Sequence, residues 1–286
     1  MQNVILIGDA LTTLKTIPDA VAQCCVTSPP YWGLRDYGVS GQIGREKTPA
    51  EYVANLVTVF REVRRVMTAT GTLWINLGDS YCPPGNKIPG FKPKDMIGIP
   101  WMVAFALRED GWYLRSDIVW HKPNAMPESV RDRPTKAHEY VFLFSKSEDY
   151  YYDIDAIREP HTMKPQRRLS PIEERPKYGH ARPHTEAGYR TREAIGVDGN
   201  PRGRNKRTVW PINTKSYKGA HFATFPEELP RLCIVAGSQP NDLVIDPFAG
   251  SGTTCVVAKN LGRKFLGIEL NASYAPLFNK RIAGGV

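Results

Sequence analysis

The sequence has no run of roughly 18 apolar residues of the kind that crosses a bilayer, and no basic stretch ahead of its first apolar segment. Met1 to Asp9 therefore reads as a strand and not as a signal segment, and no membrane partner is expected. Cysteine is scarce and odd in number: Cys24, Cys25, Cys82, Cys233 and Cys255 show no CxxC spacing. That pattern argues against a disulfide framework and a zinc site, and for buried thiols in a reducing, cytoplasmic compartment. His121 and His138 share no compact ligand motif with acids or other cysteines, so each reads as a hydrogen-bonded structural histidine and no metal is implied. No internal repeat is evident.

What is present suffices for one full domain plus a smaller insertion: 286 residues, 41% of them hydrophobic. Lys and Arg outnumber Asp and Glu by 38 to 29, a formal net charge of +9. The excess is concentrated. Residues 158–219 hold 15 Lys or Arg against 6 Asp or Glu, which accounts for all of it. This stretch is rich in Pro and Gly and poor in periodic apolar positions, yet Tyr178, Tyr189, Trp210 and Tyr217 give it aromatic anchors that plain linkers lack. It reads as a basic insertion that tracks phosphates, although charge alone does not separate DNA from RNA or an acidic membrane.

Elsewhere strands and helices alternate. Apolar runs predict strands at Val4–Ile7, Val21–Val26, Thr72–Leu77, 113–120, 139–144, Leu243–Asp246 and Lys264–Ile268. Helical spacing predicts helices at 10–17, Pro49–Met67 with Gly71 as its stop, 97–109, Glu227–Ala236, Thr253–Leu261 and Ser273–Ile282. The irregular stretch 121–135 reads as a loop. The fold class is α/β.

Asp246-Pro247-Phe248-Ala249-Gly250-Ser251-Gly252-Thr253-Thr254 follows a strand and opens a helix, so its glycines let the backbone cradle a ligand. Glu269, at the end of the next strand, is placed to accept both hydroxyls of a ribose. A triphosphate loop needs a lysine before Thr253 and has none here; a dinucleotide turn needs a third glycine and no acid at the strand end. Asp246 repels a pyrophosphate and suits a cationic amino group. S-adenosyl-L-methionine fits better than NAD or ATP.

Thr27-Ser28-Pro29-Pro30-Tyr31-Trp32 follows a buried strand on the carboxyl side of the sheet, where such folds bind ligands. Two prolines stiffen this corner and remove donors, leaving carbonyl oxygens and the Ser28 hydroxyl to accept from an NH2 group, while Tyr31 is placed to stack on an extruded base. In chain order the cofactor strands come last and the corner comes first. Joining the ends restores a standard nucleoside-binding order, so the chain reads as a circular permutation with Asp9 near the adenine of the cofactor.

With these residues in place the chain resembles the permuted beta group of bacterial and phage DNA amino-methyltransferases. The resemblance runs through Gly8-Asp9-Ala10, Thr27 to Trp32, Gly71 to Asp79, Gly111 to Pro123, Lys136 to Tyr140, Lys218 to Pro226, Asp246 to Thr254 and Gly267 to Asn271. It implies a Rossmann-like, S-adenosylmethionine-dependent methyltransferase fold with a permuted mixed sheet, formed by residues 1–157 and 218–286, and a target-recognition insertion at 158–217. It further implies a catalytic set of Ser28, Pro29, Pro30 and Tyr31. Cofactor contacts are implied at Asp9, Ala10, His221, Ala223, Asp246, Phe248, Gly250, Ser251, Gly252, Thr253, Glu269 and Asn271.

The expected activity is site-specific methylation of double-stranded DNA on the exocyclic amino group of a flipped base, without a covalent intermediate. Serine before the two prolines favours N4 of cytosine; N6 of adenine is the alternative, and a catalytically inactive DNA-binding protein is the alternative of another class. Left open are a homodimer, a separately acting cognate restriction endonuclease, and the group that accepts the leaving proton.

Overall fold

The computed structural model describes residues 2–34, 36, 38–85, 88–161, 202–214 and 225–283. The chain divides into two units, Met1–Asp153 with Thr208–Val286, and Ile154–Arg207. The larger contains β1 (Val4–Ile7), α1 (Ala10–Leu14), β2 (Ala22–Thr27), α2 (Pro49–Val66), β3 (Met67–Leu77), α3 (Ile99–Glu109), β4 (Tyr113–His121), β5 (His138–Ser145), β6 (Val209–Pro211), α4 (Glu228–Gly237), β7 (Leu243–Asp246), α5 (Thr253–Asn260), β8 (Lys264–Glu269) and α6 (Ala275–Ile282).

The strands form one sheet in the order β1-β8-β7-β2-β3-β5-β4-β6. From β1 to β3 every pairing is parallel; β5 runs antiparallel to both β3 and β4. The first strand lies beside the last, with Asn3 donating to the Phe265 carbonyl at 2.7 Å. This is the permuted order: β7 and β2 run parallel, the strand order switches direction between them, and their carboxyl ends open the crevice where such sheets hold ligands.

Side-chain alternation divides the core between two faces. Leu73, Ile75 and Leu77 of β3 join the cluster built by α1, α2 and α3, to which α2 contributes Tyr52, Leu56, Val59, Phe60 and Val63. The same helix starts on a capping box: the Thr48 hydroxyl accepts the Glu51 N–H, the Glu51 carboxylate accepts the Thr48 N–H, and Pro49 takes the first turn. On the opposite face Trp74 and Cys24 meet the end of α4, where a Cβ on Gly237 would come within 3.0 Å of both.

Two expectations are corrected. Helix α2 does not run on to Gly71; it stops at Val66 because the chain entering β2 takes its last carbonyls, through Ala20 N–H to Arg65 and Val21 N–H to Val66. Met67 is already extended, and Gly71 lies within β3. Residues 209–211, read as part of the basic insertion, form edge strand β6, parallel to β4. Trp210 is only 2% exposed and packs 6.4 Å from Trp74, so it is a core residue and not a nucleic-acid anchor. The other three aromatic anchors lie outside the described residues.

In the smaller unit the described residues are paired among themselves. Glu159 binds Arg204, Lys206 and Arg207, and Asp155 binds Arg158 and Arg202.

Replacing Trp210 with Ala is expected to destabilise the protein by about 3–5 kcal/mol, the cost of emptying a large aromatic site in a core. Urea unfolding reads this directly. A change within about 0.5 kcal/mol, usual for a surface position, would contradict the core placement.

Candidate active site

The cleft between β7 and β2, where the strand order switches direction, encloses about 1000 Å3 when its open mouth is counted. Its walls come from the chain after β2 (Ser28, Pro30), from Val39 and 41–43, from the β7–α5 turn (247–251 and Thr253), from the end of β8 (Glu269, Leu270, Asn271), and from Asp9, Ala10, Phe225 and Tyr274. Ten of the expected site residues therefore share one wall: Asp9, Ala10, Ser28, Pro30, Phe248, Gly250, Ser251, Thr253, Glu269 and Asn271. Asp246, Gly252, Pro29 and Tyr31 do not line it. His221 and Ala223 lie outside the described residues.

Beneath the cleft, β2 and β7 are pinned at their carboxyl ends. The Thr27 hydroxyl donates to Asp246 Oδ1 at 2.6 Å, the Phe248 N–H donates to the same oxygen at 3.0 Å, and the Thr254 hydroxyl reaches back to the Val26 carbonyl at 3.1 Å. Asp246 is 2% exposed. Burial pushes its carboxyl up to about 6, while the Thr27 hydroxyl, favouring the charged form, holds it back. Gly252 caps α5 with φ +79°, and a Cβ there would stand 3.0 Å from both Ile5 and Phe278. Only glycine meets both demands at once.

Glu269 is held at the rim by two backbone donors, Gly250 N–H on Oε2 and Asn271 N–H on Oε1, each at 2.8 Å. Burial raises its pKa, and these bonds oppose the rise. A carboxylate oxygen has two lone pairs, so both still have one to offer. The Ser251 and Thr253 hydroxyls accept from Arg281 at 2.8 and 3.0 Å, which ties the turn to α6. Asp9 caps α1 by accepting the Thr12 N–H at 2.9 Å.

At the target corner the Pro30 carbonyl, expected to be left for a substrate NH2, already accepts the Tyr52 hydroxyl at 2.8 Å. Trp32 is buried and donates to the Glu46 carbonyl, while Ser80 donates to the carbonyl of Trp32. Tyr31 packs against the core cluster. Its ring lies so close over Gly78 that a Cβ there would meet it at 2.6 Å, and its hydroxyl donates to Glu139 Oε2 at 2.7 Å. Ser28 remains the side-chain acceptor on the wall. Sequence reasoning gave no role to Asn76 or Glu139, which stand behind Ser28; the available signal was an asparagine inside the apolar strand Trp74-Ile75-Asn76-Leu77.

The lining contains two acids, Asp9 and Glu269, and no Lys or Arg among the described residues. This wall suits a cation carrying a ribose and disfavours a polyphosphate.

The chain belongs to the DNA methylase family, whose profile matches residues 22–280. It is 48% identical over 296 residues to the type II methyltransferase M.Cfr9I of Citrobacter freundii, an alignment spanning 97% of this chain and 86% of that protein. With M.SmaI of Serratia marcescens it shares 46% identity over 97% and 90% of the two chains. Among solved structures it resembles a putative DNA modification methylase of Thermus thermophilus, complexed with S-adenosyl-L-methionine, with a TM-score of 0.62, 25% identity, and coverage of 98% and 94%. It also resembles the cytosine-N4-specific PvuII DNA methyltransferase, with a TM-score of 0.64 and coverage of 97% and 92%; at 20% identity that likeness shows the fold alone.

The Thr27–Asp246 bond gives a pH-dependent prediction. A folded-state pKa near 6 lies above the unfolded value of roughly 4, so the native state holds the extra proton between these values and loses stability as pH rises through that window. Thr27→Val removes a donor from the ionised form and raises the Asp246 pKa further. The substitution is expected to cost about 1.5–3 kcal/mol at pH 8 and clearly less at pH 5, where the carboxyl is mostly protonated. Urea unfolding at the two pH values checks this; an equal loss at both would rule out a charged partner.

Proposed function

We propose that this protein is a site-specific DNA methyltransferase that moves a methyl group from S-adenosyl-L-methionine to the exocyclic amino nitrogen of a flipped base, with N4 of cytosine as the target. One observation carries the reading: Ser28 and the Gly250–Glu269 cradle face the same cleft, although the two ends of the sequence supply them. The relatives that share nearly half of its sequence are type II methyltransferases. The cofactor supplies an electrophilic methyl group on a sulfonium, and the acidic wall, which has no lysine among the described residues, suits that charge.

The chain's own residues supply binding and alignment. Glu269 would take the ribose hydroxyls on the lone pairs that Gly250 and Asn271 leave, and Asp9, Phe248 and Asn271 would help to hold the rest of the nucleoside. Asp246 underlies the turn as a buried negative charge. Ser28 would accept one N–H of the base, turning the nitrogen lone pair toward the methyl group, and the stiff Pro29-Pro30 corner fixes that direction before the base arrives. The serine hydroxyl at this point supports cytosine over adenine. We assign the basic residues of 158–217 to the DNA backbone, where counterion release makes binding salt-dependent.

Purified protein and labelled cofactor are expected to methylate unmethylated genomic DNA at a fixed sequence, with N4-methylcytosine in the digested nucleosides. N6-methyladenine would overturn the base assignment, and label appearing only in RNA or peptide would overturn the substrate. Glu269→Ala is expected to weaken cofactor binding about 10- to 100-fold by calorimetry, as a charge-assisted bond of about 1.5–3 kcal/mol implies. Unchanged affinity would remove Glu269 from the ribose site.

A further inference from the structure

Beside Ser28, among residues that do not line the cleft, is a cluster of polar groups that the alignment of base and cofactor does not use. Glu139 Oε2 accepts two hydrogen bonds, from the Tyr31 hydroxyl at 2.7 Å and from Asn76 Nδ2 at 3.0 Å. Its Oε1 is paired with Lys122, whose ammonium also lies 4.5 Å over the Trp120 ring. Asn76 Nδ2 donates in addition to the Tyr140 carbonyl at 3.2 Å, so the amide has only one workable orientation and its Oδ1 faces Ser28 and Tyr31. Ser28 Oγ stands 3.4 Å from both Tyr31 Oη and Asn76 Oδ1.

The Tyr31 hydroxyl stands 2.7 Å from Glu139 Oε2 and 3.1 Å from Asn76 Oδ1, so its proton takes the shorter contact to the carboxylate and the phenol offers Ser28 a lone pair. Burial and the neighbouring Glu139 hold the Tyr31 pKa well above its usual value, so the phenol stays a donor. Asn76 likewise offers Ser28 an acceptor. Both inner partners of Ser28 are acceptors; its single proton is turned inward and its lone pairs outward.

Resting on the amino-methyltransferase reading, we infer that Glu139 is a positioning residue that makes Ser28 a hydrogen-bond acceptor toward the base, and that it takes up the proton the amino group releases. Methylation leaves the amino nitrogen with one proton too many. That proton passes to Ser28 Oγ, the Ser28 proton to Tyr31 Oη, and the Tyr31 proton to Glu139 Oε2. One N–H and two O–H bonds break while three O–H bonds form, and the positive charge on nitrogen is cancelled by the carboxylate. Lys122, paired with Oε1, keeps the carboxylate from turning, so that Oε2 stays on the Tyr31 hydroxyl. Tyr31 thereby serves as a wire, with its ring packed on Gly78.

The test compares Glu139→Gln, Tyr31→Phe and the double variant with wild type. Single-turnover transfer of tritiated methyl to duplex DNA is measured at saturating DNA and cofactor, alongside cofactor and duplex affinities by calorimetry. Glutamine can present a donor where the carboxylate only accepts, and phenylalanine removes the wire while leaving the Lys122–Glu139 pair intact. Each single variant is expected to transfer about 100-fold more slowly, the range of general acid–base contributions, with both affinities within about twofold. The double variant is expected to be no slower than the slower single one, because both break the same chain. Either folded single variant transferring at the wild-type rate overturns the inference, as does a double loss equal to the product of the two. Should Glu139→Gln not fold, the rate of Tyr31→Phe decides alone. Wild-type protein that methylates no DNA defeats the parent reading instead.

Discussion

The Thr27–Asp246 hydrogen bond joins two strand ends that are 219 residues apart in sequence. One carries the target corner and the other the cofactor turn. Without a donor at Thr27, a carboxylate that is 2% exposed would be short of a partner at the centre of the sheet. With it, the acid is tolerated and the two loops leave the sheet from fixed points. Thr254 strengthens the same joint by tying the first turn of α5 to the Val26 carbonyl. The cleft between Ser28 and Gly250 is a consequence of that joint.

Permutation moves the chain ends without moving this joint. Strand β1 lies next to β8, in parallel, with Val4 opposite Leu266 and Ile7 opposite Glu269. Asp9 and Ala10 thereby reach the cleft from the first residues of the chain, beside Glu269 and Asn271 from near its end. Strand β5 brings Tyr140 opposite Leu77 at the end of β3 and so sets Glu139 one residue beyond that pair, which is why a carboxylate 63 residues from Asn76 shares its hydrogen bonds. Ser28 lines the cofactor cleft and also touches Tyr31 and Asn76 of the acceptor network, so one residue meets both.

Much of this was legible in the sequence, for physical reasons that differ by element. The β7–α5 turn was legible because Gly252 must adopt a positive φ and leave room for Ile5 and Phe278, a demand that only glycine satisfies. The central strands were legible as uninterrupted apolar runs because both of their faces are covered. The start of β3 was not, since Met67 to Gly71 carries no strand pattern and its extension is imposed by pairing with Ala22. Strand β6 was hidden by brevity: three residues in a basic, proline-rich stretch, one of them a buried tryptophan. The bonds from Glu139 to Tyr31 and Asn76 depend on antiparallel register, which no local pattern encodes.

Target corner and cofactor turn both depend on a charged group buried at the joint between them. Carboxyl-carbon NMR of the cofactor-free protein, with the Asp246 resonance assigned by its loss in Asp246→Asn, measures this group alone. A titration centred at about 6 is predicted, as the pull of burial against the Thr27 bond requires. A midpoint near 4, the value of a carboxyl in water, would show that Asp246 is solvated, and that Thr27 and Asp246 do not form the joint on which the cleft depends.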